Sequence, residues 1–82
     1  MKSVIVLSDA AVDLELGRDF YEGRENGIGD YFVDSLLSDI ESLNLFHGIH
    51  VKEFGFYRML ASRFSFGIYY DELEAVVRVF AV

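Results

Sequence analysis

The chain has 82 residues, a formal net charge of −7, 52% hydrophobic and 16% aromatic residues, and no cysteine. This length allows one small domain, and the apolar content is high enough for a folded core. Disulfides and cysteine-bound zinc are excluded, and the opening apolar run Val4–Leu7 is too short for a signal peptide or a membrane span. We therefore expect one domain over residues 1–82, located in the cytoplasm.

The negative charge lies in the first part of the chain. Residues 1–46 contain ten acidic and three basic side chains, whereas residues 47–82 contain four of each. Because nucleic-acid backbones attract basic surfaces, direct nucleic-acid binding is not expected. A local group of arginines in the second part would still suit a smaller anionic partner.

The first part of the chain is predicted to form a strand and two helices. The strand is the apolar run Val4–Leu7. A helix over Asp9–Arg24 follows from apolar residues at helical spacing, namely Ala10, Leu14, Gly17 and Tyr21, with Phe20 beside them. A second helix, from near Ile28 to about Asn44, follows from the stripe Ile28, Phe32, Leu36, Ile40 and Leu43, broadened by Val33 and Leu37. The glycine-rich break between the helices predicts an antiparallel helical hairpin.

The second part of the chain is predicted to form most of a sheet. Runs rich in aromatic and β-branched residues place strands near Phe56–Ala61, Ser65–Asp71 and Ala75–Val82. Their short separations favour antiparallel pairing, and Leu45–Gly55 before them is predicted to be irregular. The order β-α-α-β-β-β predicts a two-layer α+β domain, with the helical hairpin packed on an antiparallel meander sheet of about four strands.

Arginines of the predicted sheet are the candidates for binding an anion. A guanidinium group donates two parallel hydrogen bonds to a phosphate or a carboxylate. Three arginines come from adjacent segments, namely Arg58, Arg63 and Arg78. Either they converge on a ligand, or each pairs with a nearby acid. Tyr69 lies on the same strands, but tyrosines in sheets more often pack their rings than transfer protons.

The residues alone indicate no catalytic or metal site. His47 and His50 are three positions apart in a glycine-containing segment, where the spacing fixes no ligand geometry, and we interpret them as ordinary loop histidines. No nucleophile–histidine–carboxylate pattern and no phosphate-binding glycine loop occur in the sequence. We expect no metal and no cofactor.

Six segments, taken in order, resemble toxins of the ParE/RelE superfamily from bacterial toxin–antitoxin modules. They are Leu7–Glu15, Phe20–Glu22, Gly27–Phe32, Tyr57–Leu60, Arg63–Tyr70 and Val79–Val82. The resemblance is closer to the ParE (plasmid stabilisation) branch than to RelE. Two features differ from the family pattern. A proline usually stands where this chain has Ser65, and relatives continue beyond the last strand into a tail with a histidine and one or two arginines, which this sequence lacks after Val82.

The resemblance implies the toxin of a type II toxin–antitoxin system, which inhibits DNA gyrase and is neutralised by a cognate antitoxin. Two alternatives remain open: a RelE-like, ribosome-dependent mRNA endonuclease, and an inactive, tail-less domain that only binds antitoxin. The acidic charge and the few lysines favour a gyrase inhibitor, which would not be an enzyme. Besides the antitoxin and gyrase, a second copy of the chain is a candidate partner, and a membrane is not. The residues expected to contact target or antitoxin are Arg58, Arg63, Phe64, Phe66, Tyr69 and Arg78.

Overall fold

A computed structural model describes residues 2–82, in which a helical hairpin covers one face of a five-stranded sheet. The elements are β1 (Ser3–Val6), α1 (Ser8–Glu22), α2 (Ile28–Glu41), α3 (Leu43–Phe46), β2 (Val51–Glu53), β3 (Phe56–Leu60), β4 (Gly67–Leu73) and β5 (Val76–Ala81). The predicted α+β class and the helical hairpin are confirmed. No helix within residues 2–82 is long and apolar enough to cross a membrane.

The strands are ordered β1-β5-β4-β3-β2 across the sheet. The predicted antiparallel meander is formed by β3, β4 and β5. The first strand pairs with β5 in parallel, because the helical hairpin carries the chain across the sheet before the meander begins. β5 is therefore flanked by a strand on each side, and the sheet as a whole is mixed.

The prediction that Leu45–Gly55 is irregular was wrong, because this segment contains the last two residues of α3 and the short strand β2. β2 forms a hairpin with β3 through the two-residue turn Phe54-Gly55, where φ is 55° and 83°. Two consecutive positive φ angles are the pattern of a hairpin turn that normally carries Asn-Gly or Asp-Gly. Phenylalanine at the first position concealed this turn in the sequence.

The core lies between the hairpin and the inner face of the sheet. Its fully buried large side chains are Phe32, Leu36, Leu43, Ile68, Tyr70, Val77 and Val79. Gly17 lets the two long helices approach, since a Cβ at this position would lie 2.5 Å from the ring of Phe32. Most of the predicted helical stripe is confirmed, but Phe20 and Leu37, expected beside it, are exposed.

Loop residues 47–50 are attached to β4 by polar contacts with two of its side chains. The hydroxyl of Tyr70 lies beside Nδ1 of His50 and accepts a hydrogen bond of 3.0 Å from the backbone N–H of Gly48. The carboxylate of Glu72 contacts His47 and accepts a bond of 3.0 Å from Lys2 Nζ. Both histidines therefore help to hold the loop on the sheet.

Candidate functional site

The loop that joins β3 to β4 is closed by its own backbone and attached to α2. Asp39 accepts hydrogen bonds of 2.9 Å from both the backbone N–H and the hydroxyl of Ser62. The N–H of Ala61 donates to the carbonyl of Phe66 at 2.9 Å, which closes the loop. The N–H of Phe66 donates to the carbonyl of Phe64 at 2.8 Å, which forms a γ-turn.

Two phenylalanines fix the same loop to the helical hairpin. The ring of Phe64 lies 5.0 Å from Tyr21, 5.1 Å from Phe32 and 5.7 Å from Tyr31, between ring centroids. The ring of Phe66 lies 5.1 Å from Phe32. Aromatic pairs at these separations add to the stabilisation from apolar burial. Both residues were predicted to contact a partner, and the structure places them against α1 and α2.

A concavity of about 490 Å³ lies where this loop meets the sheet. It is lined by Arg58, Leu60, Ala61, Ser62, Arg63, Phe64, Ser65, Phe66 and Gly67. Two of these nine residues are arginines and none is acidic. We call this site the arginine concavity.

Arg58 enters the concavity from β3, opposite Tyr69 in the register of the sheet. Gly67 leaves room for it, since a Cβ there would lie 3.1 Å from Nε of Arg58 and 3.5 Å from Cε2 of Tyr69. Oε2 of Glu53 lies 4.0 Å from the same Nε. Because the side chain of Arg58 is 40% exposed, this long ion pair is weak, and the guanidinium can still bind an external anion.

Arg63 enters the concavity from the loop and is exposed. Within residues 2–82, no carboxylate lies within 4.0 Å of its guanidinium. Arg58 and Arg63 thus give one site in an acidic protein a local excess of positive charge. This arrangement suits a carboxylate or a phosphate oxygen.

Arg78, the third candidate arginine, does not line the concavity. It lies on β5 opposite Asp71, with 2.9 Å between Nε and Oδ1 and 2.6 Å between Nη2 and Oδ2. Its guanidinium also lies 5.1 Å from the centroid of the Phe80 ring. The hydrogen bonds with Asp71 raise the pKa of Arg78 further. Of the two arrangements predicted for the arginines, convergence applies to Arg58 and Arg63, and pairing with an acid applies to Arg78.

The residues that line the arginine concavity offer positive charge, two serine hydroxyls and apolar surface. None of its nine lining residues is a histidine, lysine, aspartate, glutamate or tyrosine. General acid–base catalysis requires such a group within hydrogen-bond reach of the reacting atoms. Groups of this kind lie next to the lining: Asp39 bonds to Ser62, Glu53 lies 4.0 Å from Arg58, and Tyr69 lies opposite Arg58 in the sheet.

Comparisons with known proteins address the fold. No protein-family model and no curated protein sequence matches the chain. A solved structure described as "Chromosomal ParDE TA system from P. aeruginosa" is similar, with a TM-score of 0.88 and 16% sequence identity. The match covers 99% of this chain and 92% of that chain. The chain therefore has the fold of a protein from a ParDE toxin–antitoxin system, in agreement with its resemblance to ParE.

Proposed function

We propose that this chain is the toxin of a type II toxin–antitoxin module and a ParE-like inhibitor of DNA gyrase that acts in the cytoplasm. The observation that carries the proposal is the similarity of nearly the whole fold to a chain of a ParDE system. A chain of a ParDE system is either the toxin or the antitoxin. The six sequence segments that resemble ParE/RelE toxins lie on α1, α2, β3, β4 and β5, and this favours the toxin.

Inhibition by binding is favoured over RNA cleavage by the composition of the arginine concavity. Arg58 and Arg63 can hold an acidic group, but the lining supplies no side chain to activate a nucleophile. The net charge of −7 also opposes docking on a large RNA surface. A RelE-like endonuclease is therefore the second candidate.

The partner that we propose is a cognate antitoxin whose extended segment crosses the sheet. β2 is an edge strand with exposed residues, so its outer backbone groups can pair with an added strand. Arg58 and Arg63 would bind acidic residues of that segment. Self-association through the same surface is the competing possibility, which the cognate antitoxin would reverse.

Inducible expression in bacteria tests the proposal. We expect growth arrest with a DNA-damage response and intact mRNA, which co-expression of the cognate antitoxin relieves. Arg63→Ala should weaken the arrest, whereas Arg24→Ala, an exposed arginine outside the concavity, should not. Ribosome-dependent mRNA cleavage that Arg63→Ala abolishes would reverse the assignment in favour of the endonuclease. An absence of arrest would favour the inactive, antitoxin-binding domain.

A further inference from the structure

Helix α1 carries a second apolar row on the side that faces away from the core. Val12, Leu16 and Phe20 are spaced four residues apart, so they lie one above the other on the helix. Their exposed fractions are 51%, 64% and 55%. We call these three residues the outer α1 row. An apolar row of this kind on a surface helix is typical of an interface with another helix.

The outer α1 row is surrounded by negative charge. Exposed acidic side chains lie on the same outward half of the helix, namely Asp9, Glu15 and Asp19. The two arginines of the hairpin leave most of this charge uncompensated. Arg18 forms an ion pair of 3.0 Å with Asp30 of α2 and a longer one of 3.7 Å with Asp19, whose side chain stays 76% exposed. The guanidinium of Arg24 lies over the Phe20 ring at 4.6 Å.

This charge selects among the surfaces that could cover the row. A symmetric contact between two copies would place the same acidic residues of each copy near one another, and such like-charge contacts are unfavourable. An anionic membrane surface would be repelled for the same reason. A basic partner gains both apolar contact and charge complementarity.

We propose that the outer α1 row binds an amphipathic helix with an apolar stripe flanked by lysine or arginine residues. Rows of residues four apart on two helices can interdigitate, and the flanking cations would then face Glu15 and Asp19. The inference rests on the proposed function, because it specifies the chemistry of the antitoxin. That partner carries a basic helix over α1 and an acidic segment at the arginine concavity.

Two synthetic probes test the inference with the purified protein. One is a leucine–lysine amphipathic peptide of about 18 residues, or five helical turns, and the other is its leucine–glutamate counterpart. We expect the lysine peptide to bind and the glutamate peptide not to bind, by fluorescence anisotropy. Leu16→Ser should weaken binding of the lysine peptide by about tenfold. Leu45→Ser, at a 61% exposed site on α3, should leave its affinity unchanged.

Four results would overturn the inference. In the peptide assay, these are equal affinity of the Leu16→Ser and Leu45→Ser variants for the lysine peptide, and binding of the glutamate peptide by the parent protein as strong as that of the lysine peptide. The third is a dimer of the parent protein that Leu16→Ser dissociates. The fourth is cosedimentation of the parent protein with phosphatidylglycerol vesicles. Thermal melting confirms that both variants are folded, as expected for exposed sites. The assay contains no gyrase, so its failure leaves the proposed function standing. Conversely, a lack of growth arrest leaves the result of the peptide assay intact.

Discussion

Asp39 of α2 accepts two hydrogen bonds from Ser62 of the β3–β4 loop, one of 2.9 Å from the backbone N–H and a bifurcated one from the hydroxyl, which lies 2.9 and 3.2 Å from the two carboxylate oxygens. The two residues are 23 positions apart in the sequence. This contact links the helical hairpin directly to the loop that carries Arg63. The geometry of the arginine concavity therefore depends on α2 as well as on the sheet.

Asp39→Ala should lower the free energy of unfolding by about 1–2 kcal/mol, because it removes charge-assisted hydrogen bonds at a partly exposed site. Urea denaturation measures the change. Asp34→Ala, an exposed acid of the same helix, is the control and should be near neutral. A double-mutant cycle with Ser62→Ala should show coupling. Strict additivity of the two substitutions would contradict the proposed role of this contact.

Leu36→Ala should lower the free energy of unfolding by about 2–5 kcal/mol, since Leu36 is fully buried between the hairpin and the sheet. This is a large share of the stability of a small domain. The adjacent exposed residue provides a matched control, because Leu37→Ala should change stability little. The predicted core stripe would be wrong if the Leu36→Ala protein melted within about two degrees of the parent.

Ser65→Pro should be tolerated and should raise stability by about 0.4–1 kcal/mol. Ser65 is the central residue of the γ-turn closed by the N–H of Phe66 and the carbonyl of Phe64, so its own N–H does not form that bond. Within residues 2–82, the non-glycine residues with positive φ are Phe54 and Glu74, so the φ of Ser65 is negative. Proline fits such a turn and reduces the freedom of the unfolded chain. A loss of stability on urea denaturation would contradict this description of the loop.

Stability should decrease toward acidic pH in two steps. Burial lowers the pKa of His50 below its ordinary 6.5. Neutral His50 therefore contributes fully to the free energy of unfolding above pH 6.5, and this contribution is lost as the pH falls toward the folded-state pKa. A hydrogen bond from Lys2 lowers the pKa of Glu72 below 4.5, so its contribution is lost only as the pH falls below 4.5. Urea denaturation at a series of pH values measures both steps. His50→Gln should flatten the upper step and Glu72→Gln the lower one; an unchanged upper step in His50→Gln would contradict the first assignment.

Helical periodicity predicted most of the fold from the sequence. The spacing of Leu14, Phe32 and Leu36 indicated which helix faces are buried, and the runs after Phe56 indicated the meander. Phe20 was expected beside the buried stripe because it is next to Tyr21 in the sequence. In the helix it lies instead in an exposed row with Leu16, on the side that faces away from the core. Periodicity also gave no sign of β2, whose turn lacks the usual residues.

The candidate site was harder to predict than the fold. Sequence position indicated that Arg58, Arg63 and Arg78 belong to adjacent segments, but it could not decide which of them converge. The outcome depends on the cross-strand position of Asp71 opposite Arg78 and on the space that Gly67 leaves beside Arg58. The packing of the β3–β4 loop against the hairpin is a long-range contact, which local spacing does not reveal.

An in vitro supercoiling assay with purified DNA gyrase tests the central claim most directly. We predict that the purified protein inhibits supercoiling, that Arg63→Ala weakens this inhibition, and that Arg24→Ala retains it. The parallel reaction with ribosomes and mRNA should show no cleavage. Full gyrase activity in the presence of the protein, together with cleavage of ribosome-bound mRNA, would contradict the account.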